Sequence, residues 1–334
     1  MAANSLMKKE NTAAAAVGEN WRRALIVINP VAGDGRSLSA LPGLVKSLTE
    51  NGIVCTTVTT TGRGIAAEYV KKLGKGCDMV ICAGGDGTAN EVISGLMAIE
   101  DRMRPKFAYI PAGSTNDFAA ALGLSKRLNE NIATIAEGSS VPVDVGKFND
   151  RYYAYICAFG AFTDISHSTS QTAKNLFGPL AYFAKSIETI KNINPIRVRF
   201  LINGEVIEDD FSFCAISNSH IIGGVIKMKQ ELVEMNDGMF EIILIKYPKD
   251  AIALSKIITA LASGEMKSEY IRFFRSSEVK LEILDEKPVD FSLDGELEKN
   301  VRSAHIVNIR SGIRVVKGEN TNSRRYRRKK DGEQ

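Results

Sequence analysis

The chain has few of the residues that build metal centres and membrane anchors. Its three histidines, His167, His220 and His305, are widely spaced with no cysteine or histidine at ligand spacing, so hydrogen-bonded or surface histidines are expected rather than a zinc site. Its five cysteines, Cys55, Cys77, Cys82, Cys157 and Cys214, fall mostly in apolar strand-like runs without metal spacing or a paired framework, as expected for reduced thiols in a cytoplasmic protein. No uncharged apolar run reaches the roughly 18 residues a bilayer requires. The best candidates, Ala251 to Ala262 and Ile221 to Ile226, are short or interrupted by Lys256. Ala13 to Val17 is too short for a signal-peptide core, so residues 1–21 read as a flexible leader. There is no internal repeat and no low-complexity linker.

What is present is ordinary globular composition, 44% hydrophobic and 25% charged over 334 residues, enough for two domains with good cores. The net charge is +4, and six of the positive charges lie in RRYRRKK, Arg324 to Lys330, which leaves the remainder slightly acidic. Such a cluster suits anionic lipid headgroups, at about 1 kcal/mol per residue near the surface, or nucleic acid. Taken alone, residues 318–334 read more simply as a solvated, disordered tail.

From Trp21 to about Ala136, short apolar strands alternate with amphipathic helices. Strands are expected at Ala24 to Asn29, Ile53 to Thr59, Cys77 to Ala83 and Phe107 to Ile110. Helices are expected at Ser37 to Asn51, Ile65 to Leu73, Glu91 to Met97 and Phe118 to Leu122. This is the βαβ rhythm of a mostly parallel, doubly wound sheet, whose ligand crevice lies beyond the carboxyl ends of the strands. After about Val141 strand-like runs dominate, interrupted by helical stretches near Leu176 to Asn192 and Ala251 to Ser263. The expectation is therefore an α/β nucleotide domain, 22–140, and an all-β antiparallel sandwich, 141–310, with residues 311–317 returning to the first and a hinge near 137–142.

Three loops fall at strand ends in the first domain. GGDGTANEV, residues 84–92, follows a buried strand and opens a helix. Gly84, Gly85 and Gly87 allow a tight turn and close ligand approach, and the helix beginning near Thr88 directs its unpaired N–H groups at the loop. That pattern suits an anion. Asp86 would repel a phosphate directly, so its carboxylate is expected to face a metal or its waters. PAGSTND, residues 111–117, supplies Ser114 and Thr115 as phosphate donors, and Asn116 and Asp117 as helix caps or organisers of Mg²⁺ waters. NPVAG, Asn29 to Gly33, is the third loop. No P-loop lysine motif and no protein-kinase HRD or DFG occurs, so phosphate handling falls to glycine backbone.

The order NPVAG, Thr60 four residues before Gly64, GGDGTANEV, PAGSTNDFA, NDGMFEI at Asn236 to Ile242 and DGE at Asp294 to Glu296 resembles the diacylglycerol kinase catalytic family. The chain is similar to its soluble bacterial lipid kinases, relatives of sphingosine and ceramide kinases, over residues 22–317. The resemblance implies an NAD kinase/phosphofructokinase-like first domain, a β-sandwich lipid domain and an active site between them. Asn29, Pro30, Gly33, Thr60, Gly84, Gly85, Asp86, Gly87, Thr88, Asn90, Ser114 and Asn116 would bind ATP. Glu296 would be the general base, preceded by Asp294. Asp86 and Asp117, with Asp144, would hold catalytic Mg²⁺ through waters. A structural Mg²⁺ would sit at the NDG turn on Asp237, with backbone oxygens of Glu234 and Met239. Ser114 stands where the family usually has threonine, Ala120 where it has arginine and Ile65 where it has aspartate.

These observations lead to a lipid kinase acting on a lipid alcohol, most simply diacylglycerol, at an anionic membrane surface rather than on nucleic acid. It would be cytoplasmic and peripheral at the inner membrane face. Exposed strands in the second domain would suit a homodimer. Two alternatives stay open at this level: an NAD kinase, which shares GGDGT, and a non-catalytic lipid-binding regulator of the same fold. A solitary DGE reads as a surface turn, and only its company with the two upstream loops makes it catalytic.

Overall fold

The computed structural model describes residues 22–137, 139–160, 194–219, 221–222, 226–227 and 234–318. The leader, the helix expected near Leu176 to Asn192, His167, His220 and the RRYRRKK cluster lie outside them.

The first unit runs β1 (Arg22–Ile28), α1 (Arg36–Ser39), α2 (Leu41–Glu50), β2 (Ile53–Thr59), α3 (Ile65–Leu73), β3 (Met79–Gly84), α4 (Asp86–Met97), β4 (Lys106–Pro111), α5 (Asp117–Leu122) and α6 (Leu128–Glu137). β1 pairs in parallel with β2 on one side and β3 on the other, and β3 pairs in parallel with β4. β3, MVICAG, is buried along its whole length, as a continuous apolar run is when helices cover both sheet faces. At the edge, β2 fully buries only Ile53 and turns Thr56, Thr57 and Thr59 outward. α4 presents Ala89, Val92, Ile93 and Leu96 to the core, at the i, i+3, i+4, i+7 spacing of one helix face. The chain leaves β1 toward β2 and later crosses to β3 on the opposite side. The ends of β1 and β3 thus form the switch point at which such sheets bind ligands.

The second unit contains β5 (Ser140–Phe148), β6 (Arg151–Tyr153), β7 (Ile156–Gly160), β8 (Ile196–Ile202), β9 (Glu205–Ser217), β10 (Ile221–Ile222), β11 (Ile226–Lys227), β12 (Phe240–Lys246), α7 (Ala251–Ser263), β13 (Ile271–Ser276), β14 (Glu278–Ile283), β15 (Val289–Leu293), β16 (Glu296–Val301) and β17 (Ser303–Val316). β9 pairs antiparallel with β7, β8 and β12. Phe148, Phe159, Phe200, Phe211, Phe240 and Phe291 fill the interior of the sandwich. An α/β unit followed by an antiparallel β-sandwich is the architecture expected from the sequence.

β17 ties the two units together. It pairs antiparallel with β14 and β5, and at Val315 it lies parallel to β4 at Phe107, so a single hydrogen-bonded network of fifteen strands crosses both units. A register shift between Ile309 and Ile313, with Ser311 at φ +53°, bends the strand between its two roles. The apolar core is also shared, for Val143, Tyr155, Phe213 and Ile243 pack in one cluster with Val80, Phe107 and Phe118. Phe118 of α5 stacks on Tyr155 with ring centroids 6.0 Å apart.

Candidate active site

The three loops converge at the ends of β1, β3 and β4. Asn29 donates its backbone N–H to the Ala83 carbonyl (3.0 Å) and its side-chain amide to Thr88 Oγ1 (3.1 Å), which fastens the start of α4 to β1. Pro30 follows half-buried, and Gly33 stands at φ +60°. Thr60 donates its N–H to the Ile28 carbonyl (2.8 Å), so the end of β2 joins the same rim. Arg36 bridges two loops by donating Nε to the Gly33 carbonyl (3.0 Å) and a terminal N–H to that of Gly113 (3.3 Å). The GGDGTANEV and PAGSTND loops meet at glycine, where a Cβ on Gly113 would come 2.6 Å from Gly85 Cα.

Asp86 holds these two loops together. One oxygen accepts from the Asp117 N–H (3.0 Å) and Thr115 Oγ1 (3.1 Å), the other from the Phe118 N–H (3.2 Å) and the Tyr109 hydroxyl (3.5 Å). Its carboxylate therefore faces the first turn of α5. Burial raises its pKa against the lowering effect of the two backbone donors. Asn116 is turned onto its own loop, donating to the Gly113 carbonyl (2.8 Å) and accepting the Gly113 N–H (2.8 Å), while Ser114 and Thr115 stay exposed at the tip. Gly84 is buried as the last residue of β3, while Gly85 and Gly87 stand half-buried at the start of α4.

Glu296 reaches this place from the other unit. β15 and β16 are joined by Asp294 and Gly295, both at positive φ (52° and 88°), the two-residue turn that Asp-Gly favours. Asp294 is buried and accepts from the backbone N–H groups of Ala154 (2.5 Å), Tyr155 (3.0 Å) and Ile156 (3.1 Å) and from Asn90 Nδ2 (2.8 Å). Burial nevertheless pushes its pKa up to about 6. Asn90 also donates to the Tyr152 carbonyl (3.1 Å). Asn90 and Asp294 thus clamp the hairpin onto α4 instead of lining the glycine loops. The clamp sets Glu296 so close that a Cβ on Gly87 would lie 3.0 Å from its Oε1.

Three participants carry no signature in the sequence taken alone. Arg63, between β2 and α3, makes an ion pair with Glu296. Glu91 accepts from the N–H groups of Gly64 (2.8 Å) and Ala66 (3.1 Å), fixing the start of α3. Arg36 has been described above. Glu91 lies within GGDGTANEV and the two arginines adjoin recognised motifs, and that placement was the available signal. A cavity of about 460 Å³ opens beside Glu296, lined by Arg63, Gly87, Asn90, Ser94, Tyr152 and Leu297 among others.

The NDG turn lies apart from these groups. Asp237 accepts the Met239 N–H (2.9 Å) and is ion-paired with Arg275. Asp144 is fully buried and accepts from the N–H groups of Gly238 (2.6 Å) and Ser311 (2.6 Å), with burial raising its pKa. Glu234 is exposed. Among the described residues no group of three or more His, Cys, Asp or Glu side chains could hold a metal ion. Asp237 is thus held by a guanidinium and Asp144 by backbone N–H groups. His305 bonds Glu278 Oε1 through Nε2 (2.7 Å), an ordinary surface pairing.

A doubly wound α/β unit with glycine loops at its switch point, joined to an antiparallel sandwich, fits the architecture expected of a two-domain lipid kinase. Comparison with known families agrees. The diacylglycerol kinase catalytic domain matches residues 23–148, and the YegS C-terminal NAD kinase beta sandwich-like domain matches residues 159–313. The chain is 30% identical over 296 residues to the diacylglycerol kinase of Staphylococcus carnosus, covering 88% of this chain and 94% of that one. It is 28% identical over 297 residues to that of Bacillus subtilis, covering 88% and 96%. The protein belongs to the diacylglycerol kinase family. Two Bacillus anthracis structures, the second described as a diacylglycerol kinase, share its fold, with TM-scores of 0.74 and 0.67 at 24% and 22% identity over 90% of this chain and 97% and 98% of theirs. No helix among the described residues is long and apolar enough to cross a membrane.

Proposed function

We propose that the protein transfers the γ-phosphoryl group of Mg-ATP to the free hydroxyl of diacylglycerol, giving phosphatidic acid, with Glu296 as the general base. The observation that supports this reading is the position of Glu296, carried by the second unit to the first turn of α4 beside Gly87. The glycine loops would hold the triphosphate on backbone N–H groups, with Asn29, Thr60, Thr88 and Ser114 around them. Magnesium enters with the nucleotide as part of the substrate, and Asp117 would face its waters. Asp86, Asn90, Asn116 and Asp294 position the loops and the hairpin.

In the reaction the acceptor oxygen attacks the γ-phosphorus as its proton passes to Glu296. The bond to the β,γ-bridging oxygen breaks, and its electron pair leaves with ADP. An alcohol is too weak a nucleophile at neutral pH to react without that proton acceptor. A screen of radiolabelled ATP against diacylglycerol, ceramide, a sphingoid base, monoacylglycerol and a polyprenol, with NAD and water as controls, tests the reading. Label in phosphatidic acid is expected, and label in NADP or in none of the lipids would overturn it. The acceptor lies in a membrane, so we assign transient docking to the basic run Arg324 to Lys330. Deleting residues 323–334 should weaken binding to anionic vesicles at low salt, and unchanged binding would remove that assignment.

A further inference from the structure

We propose that Arg63 is a phosphate-binding residue that releases Glu296 when the nucleotide enters, so that the Arg63–Glu296 ion pair is the resting state of the site and is broken in the reactive one. The proposal rests on the reading of Glu296 as the base. The pair joins residues 233 positions apart, one from each unit. Arg63 meets one oxygen of the carboxylate, Oε2, while Oε1 lies toward Gly87, so withdrawal of the guanidinium to a bound phosphate would leave both oxygens open to the acceptor hydroxyl.

The surroundings permit this exchange. The Arg63 side chain is 84% exposed and that of Glu296 33%. Arg63 is flanked by Gly62 and Gly64, where a Cβ would meet nothing within 4 Å, and Gly64 stands at φ +78°. The guanidinium therefore has room to turn without moving α3, which Glu91 anchors. The first turn of α4, where phosphate oxygens would collect, lies beside the same carboxylate that Arg63 now holds.

Charge selects the direction of the exchange. Three cations line the cavity, and two have partners away from the base, Lys71 on Glu68 and Arg151 on Glu298. Its carboxylates are Glu91, committed to α3, Asp150 and Glu296. An exposed ion pair contributes little to stability, whereas arginine binds phosphate through two parallel, charge-assisted hydrogen bonds. A triphosphate on the glycine loops would thus win Arg63 from Glu296. The guanidinium would then offset charge on the transferring group, a task for which the chain has no P-loop lysine.

A binding cycle without lipid tests this. Mg-ATP is titrated onto the wild type, Arg63→Met, Glu296→Gln and the double variant. Removing Arg63 should weaken ATP by about tenfold, the loss of one charge-assisted contact. Glu296→Gln should tighten ATP severalfold, because the competitor for Arg63 is gone, and this gain should vanish in the Arg63→Met background. Arg63→Lys should recover part of the affinity. Wild-type ATP binding by Arg63→Met, or independent multiplication of the two single effects, would overturn the exchange. Wild-type transfer by Glu296→Gln would instead remove the base assignment, and the cycle would still decide whether Arg63 changes partners.

Discussion

Glu241 on β12 is fully buried, with one oxygen 3.3 Å from Arg275 Nε and the other without a hydrogen-bond partner. Burial raises its pKa to about 8 despite the arginine, so the folded protein holds a proton that the unfolded chain releases from about pH 4.5 upward. Because the folded state binds more protons, stability falls as pH rises through that window. Asp294, pushed up to about 6, acts in the same sense at the acidic end. Thermal unfolding followed from pH 5 to 9 should therefore show a declining Tm, and Glu241→Gln should flatten the part above pH 6. A variant curve parallel to the wild type would show that Glu241 does not titrate there. The same arithmetic of partners separates the site carboxylates. Asp86 and Asp294 are met by protein donors on both oxygens, while among the described residues Glu296 is met on one oxygen by an exposed arginine.

Among the elements, the glycine loops depend on close contact as much as on backbone freedom. Gly113→Ala would drive a methyl group into Gly85 Cα at 2.6 Å, a backbone atom that cannot rotate aside, with Asn116 Oδ1 at 3.0 Å. We expect a loss of about 1–3 kcal/mol, the usual cost of overpacking, measured by urea unfolding. ATP affinity should fall with it, and wild-type affinity would show that the two loops are not jointly needed for the nucleotide. These loops could be read from the sequence because each joins a buried strand to a helix in a few residues, so their place was fixed by local pattern. The contacts that organise them could not. Asn90 meets Asp294 across 204 residues and Arg63 meets Glu296 across 233, and neither pairing leaves a periodic trace. The commitment of Asp237 to Arg275 was equally hidden, since NDG reads the same whether a metal or a guanidinium neutralises it.

For the molecule as a whole, the α/β unit and the sandwich share a sheet through β17 and a core through Phe118 and Tyr155. The alternation of elements revealed two units and suggested a return of residues 311–317 to the first, but not that one 14-residue strand would carry both roles. An apolar interface of this kind opposes independent domain motion. Calorimetry should show one cooperative transition, and two resolved transitions would mean that the units are separable. That coupling carries functional weight, for it holds Glu296, from one unit, against Gly87 of the other. Transfer of labelled γ-phosphate from ATP to diacylglycerol by the Glu296→Gln variant tests this most directly. The account predicts a loss of about 10²–10⁴-fold with ATP binding retained, as expected when a general base is removed. Transfer at the wild-type rate would contradict it.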